Sequence, residues 1–136
     1  MICTEKDLVN LVEASFKNQN YVTAREIKML SKFIDVVAYN LANDEIIAIE
    51  AKLSKWRRAL QQAITYKICA DRVYIAISTE FCHLVDNELL KKYGLGLIVC
   101  DENGVYTKVK AERVNAPHLR LREEVITSVR SNNGGF

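Results

Sequence analysis

Asp35, Glu50 and Lys52 stand in the middle of apolar segments, and the need to place them limits what the chain can fold into. In residues 33–39, strand alternation puts Asp35 on a face with Phe33, Val37 and Tyr39. In residues 45–52 it puts Glu50 and Lys52 on a face with Ile46 and Ala48. The opposite face of both segments, Ile34, Val36, Ala38, Ile47, Ile49 and Ala51, is wholly apolar and suited to receive a helix. Asn43-Asp44 lies between the segments as a tight turn would. Closed as a two-residue loop, the hairpin sets Asp35 across from Lys52 and Val37 across from Glu50. The two acids then become diagonal neighbours, about 7–8 Å apart at the backbone. A slip of one residue would drive all three charges into the packed layer, so the register is the critical expectation.

The rest of the chain reads as helices flanking a mixed sheet. Leu8, Leu11, Val12 and Phe16 recur at helical spacing, with Thr4 as N-cap and Glu5 and Asp7 in the first turn. Asn18 to Asn20 break that pattern, and strands follow over residues 21–30, 32–41 and 45–53. Ser54 is placed to cap a helix reaching about Ala70, with Trp56, Leu60, Ala63, Ile64 and Lys67 on its inward stripe. Residues 72–78 form a short apolar strand covered on both faces. Thr79 starts a helix carrying Leu84, Val85, Leu89 and Leu90, ended near Tyr93-Gly94. A hairpin of residues 97–100 and 105–111 turns at residues 101–104, its second arm an edge strand. Pro117 opens a last helix with Leu121, Val125 and Val129 inward. The expected order is α-β-β-β-α-β-α-β-β-α.

With 136 residues, 49% of them hydrophobic and 26% charged, the chain makes one domain over residues 1–130, with residues 131–136 a flexible tail. No apolar run approaches the ~20 residues needed to cross a bilayer, and no signal-peptide pattern opens the chain. The expectation is a cytoplasmic protein with no membrane partner. Cys3, Cys69, Cys82 and Cys100 are scattered without C-x-x-C spacing, and the two histidines, His83 and His118, complete no zinc site. Reduced, mostly buried thiols are expected. A net charge of +2 permits nucleic-acid binding through a local patch without arguing for it.

Burying charge is costly, so ionisable groups inside apolar strands call for pairing or a metal. A half-exposed sheet face with an Asp–Lys cross-strand pair is the plainer account. The register, the apolar setting and the helix that follows together favour a site. At this point the residues resemble a known family. Ile34-Asp35, followed by Glu50-Ala51-Lys52 at the end of the next strand, is similar to the PD-(D/E)XK nuclease superfamily. Gln62 and Tyr66 resemble the Q-x-x-x-Y motif on the helix after the catalytic strand in RecB-like members. Residues 5–9 look like the first helix of archaeal Holliday-junction resolvases, where a glutamate completes the metal site. The resemblance spans Glu5 to about Ser78. Ile34 stands where the motif nominally has proline, and the C-terminal third matches no substrate-specifying subfamily.

The resemblance implies a restriction-endonuclease-like α/β fold, with an αβββαβ core and a mixed sheet flanked by helices. It also implies a metal-dependent nuclease that hydrolyses DNA phosphodiester bonds in repair, recombination or defence. Asp35, Glu50 and the backbone carbonyl of Ala51 would give Mg²⁺, or Mn²⁺ in its place, the hard oxygen ligands it prefers. Lys52 would orient the attacking water or stabilise the transition state. Glu5 would be an outer ligand or base, although a first-turn acid accounts for it equally well. Gln62 and Tyr66 would hold substrate or support the site, with a solvated glutamine and a half-buried tyrosine as the alternative. Lys55, Arg57 and Arg58 could grip phosphates, or simply be solvated. Trp56 reads as core. Lys108, Lys110, Arg113, Arg120 and Arg122 form a basic stretch that reads first as solvated surface and second as a nucleic-acid track. A homodimer would supply the two sites that two-strand cleavage needs. The competing functions are a nucleic-acid-binding module of the same fold without activity and an unrelated structural or interaction domain.

Overall fold

The computed structural model describes every residue except Met1, Cys3 and Ala116, so the expectation for the Cys3 thiol lies outside the described residues. The first helix, α1 (Glu5–Asn18), begins at Thr4 as expected. The Thr4 hydroxyl accepts from the Asp7 amide at 3.1 Å, and the Asp7 carboxylate accepts from the Thr4 amide at 3.0 Å. Three antiparallel strands follow, β1 (Val22–Met29), β2 (Lys32–Asn40) and β3 (Glu45–Ala51). Helix α2 (Trp56–Tyr66) leads to β4 (Arg72–Ser78), parallel to β3. A 3-10 helix (Thr79–Leu84) and α3 (Asn87–Lys92) lead to β5 (Gly96–Asp101), parallel to β4. Strand β6 (Gly104–Val109) turns back antiparallel, and α4 (Leu119–Asn132) closes the chain.

The six strands lie in sequence order in one mixed sheet. Val36, Ala38, Ile47, Ile49 and Ala51 pack with Leu8, Val12 and Phe16 of α1 on one face. Val37, Tyr39, Ile46 and Ala48 pack with α2, α4 and Leu90 of α3 on the other. The element order and the helix-flanked mixed sheet are those of a restriction-endonuclease-like fold, as the sequence predicts.

The expected hairpin register is corrected by two positions. Strands β2 and β3 join through four residues, 41–44, and the ladder pairs Asn40 with Glu45, Val37 with Ala48 and Val36 with Ile49. Continued by one step, it sets Asp35 across from Glu50 rather than across from Lys52. The wider loop has its own bonds. The Asn40 side chain accepts from the Ala42 amide, the Tyr39 hydroxyl donates to Asp44, and Asp44 takes a positive φ of 55°. Because strand alternation has a period of two, a two-residue shift leaves Ile46 and Ala48 on one face and Ile47, Ile49 and Ala51 on the other, as expected.

One residue departs from the alternation. Ile34 joins the α2 side of the core, while Val36, two positions on, lies on the α1 side. The β1–β2 ladder pairs Arg25 with Val36 and Ile27 with Ile34 but skips Glu26 and Asp35, and Glu26 has a φ of 50°. A left-handed glutamate inside a strand is conformationally unfavourable, and such irregularities re-aim side chains. Here the re-aimed residue is Asp35.

Several element boundaries also differ from expectation. Helix α2 ends at Tyr66, and its N-cap position is Lys55, without a side-chain cap, rather than Ser54. Its inward stripe is Trp56, Ala59, Leu60, Ala63 and Tyr66, with Ile64 and Lys67 at the margin. The helix expected from Thr79 is split, because the Asp86 carboxylate caps a new helix at the Leu89 amide. His118, given no role by its sequence context, caps α4 through Nδ1 and the Leu121 amide. Helix α4 continues through Asn132, so the segment 131–136 begins inside it, and the Phe136 ring stacks on Tyr39 with centroids 5.6 Å apart. Cys69 and Cys100 are buried free thiols and Cys82 is half-buried.

Arg122 is not part of a basic surface. It is buried beside Asp71 with Nη2 3.0 Å from Oδ2, and it also donates to the Asp44 carbonyl. Asp71 accepts from the Ile46 amide at 2.7 Å, so one buried ion pair fastens α4 to the β2–β3 loop and to the start of β4.

Candidate active site

The two acids come together at the centre of the sheet. Glu50, on β3, is 2% exposed, and Asp35, on β2, is half-buried. Their carboxyl groups are hydrogen-bonded to each other. Asp35 Oδ2 also accepts from the Ala51 amide at 2.8 Å, which fixes Asp35 against the end of β3. Glu50 Oε1 accepts from the Tyr66 hydroxyl at 2.6 Å. That same hydroxyl reaches the Phe33 carbonyl at 3.1 Å. Lys52 follows β3, its Nζ 3.7 Å from Glu5 Oε1 on the first turn of α1. Glu5 is half-exposed, so this ion pair contributes little stability and mainly restrains the lysine.

Burial pushes the Glu50 carboxyl up to about 7, opposed by the Tyr66 hydrogen bond and helped by the neighbouring Asp35 charge. Burial raises Asp35 as well, against the Ala51 amide and the Lys52 charge, which pull it down. The two carboxyls titrate as a pair, both raised and with burial the largest cause at each. Two carboxyls in contact cannot both ionise cheaply. Burial, followed by its bond to the Glu50 carboxylate, raises the Tyr66 phenol, so it stays protonated and a donor near neutral pH. Tyr66→Phe is expected to move the Glu50 carboxyl above about 7 and to cost about 2 kcal/mol at pH 8, where the lost bond is charge-assisted. Carboxyl carbon NMR titration and thermal melts read both effects. An unchanged Glu50 titration would refute the assignment of that bond.

Asp35, Glu5, Lys6, Val9, Arg25 and Glu26 line an open cavity of about 420 Å³ between α1 and the hairpin. Gln62 and Tyr66 line a second, of about 240 Å³, with Ser31, Lys32 and Phe33. Gln62 Oε1 is buried without a hydrogen-bond partner. Lys55, Arg57 and Arg58 are brought elsewhere, to a shallow depression with Ser54, Trp56 and Leu84. There the Arg57 guanidinium lies 4.5 Å from the centre of the Trp56 ring, and Trp56 is core as expected. Phe33, which has no place among the expected site residues, is 58% exposed on the edge of the Gln62 cavity. An aromatic on the charged face, two positions before Asp35, is the signal that could have drawn attention to it.

Among the described residues, no group of three or more His, Cys, Asp or Glu side chains is gathered as a metal cluster. The donor set suited to an ion is two carboxylates with backbone and water oxygens. Its chemistry fits a hard divalent cation, because a buried and a half-buried carboxyl in contact lack the positive charge that such an ion would supply. Among the described residues, no helix is long and apolar enough to cross a membrane.

No family model and no curated protein matches the chain. Among solved structures, SPO1766, a protein of unknown function from Silicibacter pomeroyi, matches with a TM-score of 0.75 and 22% identity over 93% of this chain and 84% of that one. Pyrococcus furiosus SfsA, in complex with Ca²⁺, gives a TM-score of 0.41 at 12% identity, covering 79% of this chain and 62% of that one. A repair endonuclease from Pyrococcus abyssi gives 0.42 at 19% identity, covering 71% and 46%. The latter two likenesses are too slight to carry function across. The first is a likeness of fold, extending over nearly the whole chain.

Proposed function

We propose that the protein is a metal-dependent nuclease that hydrolyses DNA phosphodiester bonds, with Asp35, Glu50 and Lys52 as its catalytic groups. The observation that carries the reading is the contact between the buried Glu50 carboxyl and the half-buried Asp35 carboxyl, with Lys52 just past the end of β3. A fold gains nothing in stability from two contacting acids in its sheet, and perturbed groups of this kind mark functional sites. Asp35, Glu50 and the Ala51 carbonyl would hold Mg²⁺, with Mn²⁺ able to replace it. When bound, the ion supplies a water of lowered pKa and neutralises charge on the phosphate.

The chain's own groups do the rest. Lys52 offers an ammonium to the phosphate oxygens as negative charge builds on them. Asp35 is held by the Ala51 amide, and Glu50 by the Tyr66 hydroxyl, so neither carboxylate needs to reorganise for the reaction. Glu5 restrains Lys52 from α1. Water adds to phosphorus, one P–O bond breaks, and the products are a phosphate monoester and an alcohol. A second copy of the chain would provide the second site for cutting both strands.

The test is incubation of the purified protein with labelled linear, nicked and branched DNA. Cleavage with Mg²⁺ or Mn²⁺ and none with a chelator is expected. Metal-independent binding with no cleavage of any substrate would leave the inactive binding module in its place.

A further inference from the structure

The larger cavity, on the α1 side of Asp35, holds an arginine whose fork is fixed in advance. Arg25, on β1, donates from Nε to Glu13 Oε1 at 2.8 Å and from Nη2 to Asn10 Oδ1 at 2.6 Å, both on α1. The other oxygen of Glu13 accepts from the Thr23 hydroxyl at 2.9 Å. Burial pushes the Glu13 carboxyl up, but the Arg25 and Thr23 bonds outweigh it and hold the group below its ordinary value. It is therefore a carboxylate at neutral pH and a lasting anchor. These bonds occupy Nε and Nη2, while Nη1 has no partner among the described residues. The Arg25 side chain is 37% exposed and lines the cavity of about 420 Å³ with Asp35, so a molecule entering from solvent can reach it.

The backbone is bent to keep this arginine beside the acids. Successive residues of a strand point to opposite faces, yet Arg25 and Glu26 both line the cavity, and Glu26 has the left-handed φ of 50°. Arg25 lies across the ladder from Val36, the residue after Asp35. Three acids, Glu5, Glu26 and Asp35, share the cavity with Lys6 and Arg25. Against those acids an anion enters only where a cation is fixed to meet it. A guanidinium held through two of its nitrogens, with the third open, suits the paired oxygens of a phosphate.

We infer that Arg25 grips the backbone phosphate next to the one being cut, and that the cavity between α1 and β1 is the path the DNA strand takes away from Asp35 and Glu50. The substrate class is therefore a strand that continues past the cut on the α1 side by at least one further phosphodiester. This rests on the nuclease reading for the identity of the cut phosphate, though the contact itself can be tested without cleavage. Arg25 is a positioning residue: it holds the neighbouring phosphate so that the reacting one stays against the acids.

The experiment first measures binding of the full chain to labelled DNA by fluorescence anisotropy, in chelator, over potassium chloride from about 50 to 200 mM. Arg25→Met is expected to weaken binding about tenfold at the low end and to reduce the slope of log affinity against log salt by about 1. Arg25→Lys keeps the charge and is expected to keep the slope. A role confined to fastening α1 would lower the melting temperature and leave the slope of Arg25→Met unchanged. The second measurement maps cuts in Mg²⁺ on a strand carrying one uncharged methylphosphonate linkage. Cutting at the adjoining linkage on one side is expected to fall about tenfold in the parent and to be little affected in Arg25→Met. No binding by the parent, an unchanged slope in Arg25→Met, or equal suppression of cutting in parent and variant would overturn the inference. Cleavage with an unchanged slope would leave the nuclease reading standing and remove this one. A reduced slope without cleavage of any substrate would keep the phosphate contact and remove the nuclease reading.

Discussion

Lys52→Ala is expected to lower the rate of DNA cleavage by about a thousandfold while leaving the melting temperature within a few degrees of the parent. Both halves follow from where the side chain sits. Its ammonium follows the acid strand, and its ion pair is with Glu5, a half-exposed residue. Breaking such a pair costs less than about 1 kcal/mol. The charge it offers to a phosphate near the carboxyl pair is used only as the transition state forms. Removing one such group typically costs about 10²–10³ in rate. The loss of positive charge has a second effect in the same direction, because the Lys52 charge holds down both Asp35 and Glu50. Without it both carboxyls move further up and release their protons to an incoming ion less readily. Lys52→Arg restores the charge but not its shape, so a partial recovery of rate is expected. Single-turnover cleavage of a labelled substrate, paired with a thermal melt, reads both quantities. A rate within about threefold of the parent would remove Lys52 from the chemistry.

The faces of β2 and β3 were legible from sequence because strand alternation depends only on parity. Ile46 and Ala48 fall on one side and Ile47, Ile49 and Ala51 on the other under either loop length. Which acid lies opposite which residue was not legible. It turns on whether Asn43-Asp44 alone makes the turn, and the bonds of Asn40 and Tyr39 in the four-residue loop come from side chains that strand alternation treats as strand positions. The burial of Tyr66 was hidden for a different reason. Hydropathy assigns Ile64 to the helix interior, yet the tyrosine goes inward because its hydroxyl finds Glu50 there. Lys67 meanwhile reaches the Tyr93 carbonyl at 2.7 Å. The left-handed backbone at Glu26 is the least readable feature, since glutamate has no preference for that region. Local sequence rules fail at the hairpin position that aims Asp35, where a conformation unfavourable for folding coincides with the candidate site.

That coincidence has a thermodynamic consequence at Glu50. A carboxyl raised to about 7 from an ordinary 4.5 binds its proton more tightly in the folded chain than in the unfolded one. Folding is therefore favoured at low pH, loses stability as pH rises through the window from about 4.5 to 7, and bears the full cost above it. The shift corresponds to about 3 kcal/mol. Glu50→Gln abolishes the ionisation while keeping the shape. Its amide can donate to Asp35, and its carbonyl can accept from the Tyr66 hydroxyl. The variant is expected to melt roughly 5–10 °C above the parent at pH 8. At pH 5, where the parent carboxyl is already protonated, the gap should shrink to below about 1 kcal/mol. The same variant should lose cleavage, since a neutral amide is a poor ligand for a hard cation. Saturating Mg²⁺ should stabilise the parent at pH 8 more than it stabilises the variant. The combination of higher stability and lost activity separates a functional carboxyl from a structural one, because a structural glutamate would not be improved by neutralisation. A melting gap that stayed constant from pH 5 to pH 8 would assign the raised carboxyl to another residue and remove a support of the nuclease reading.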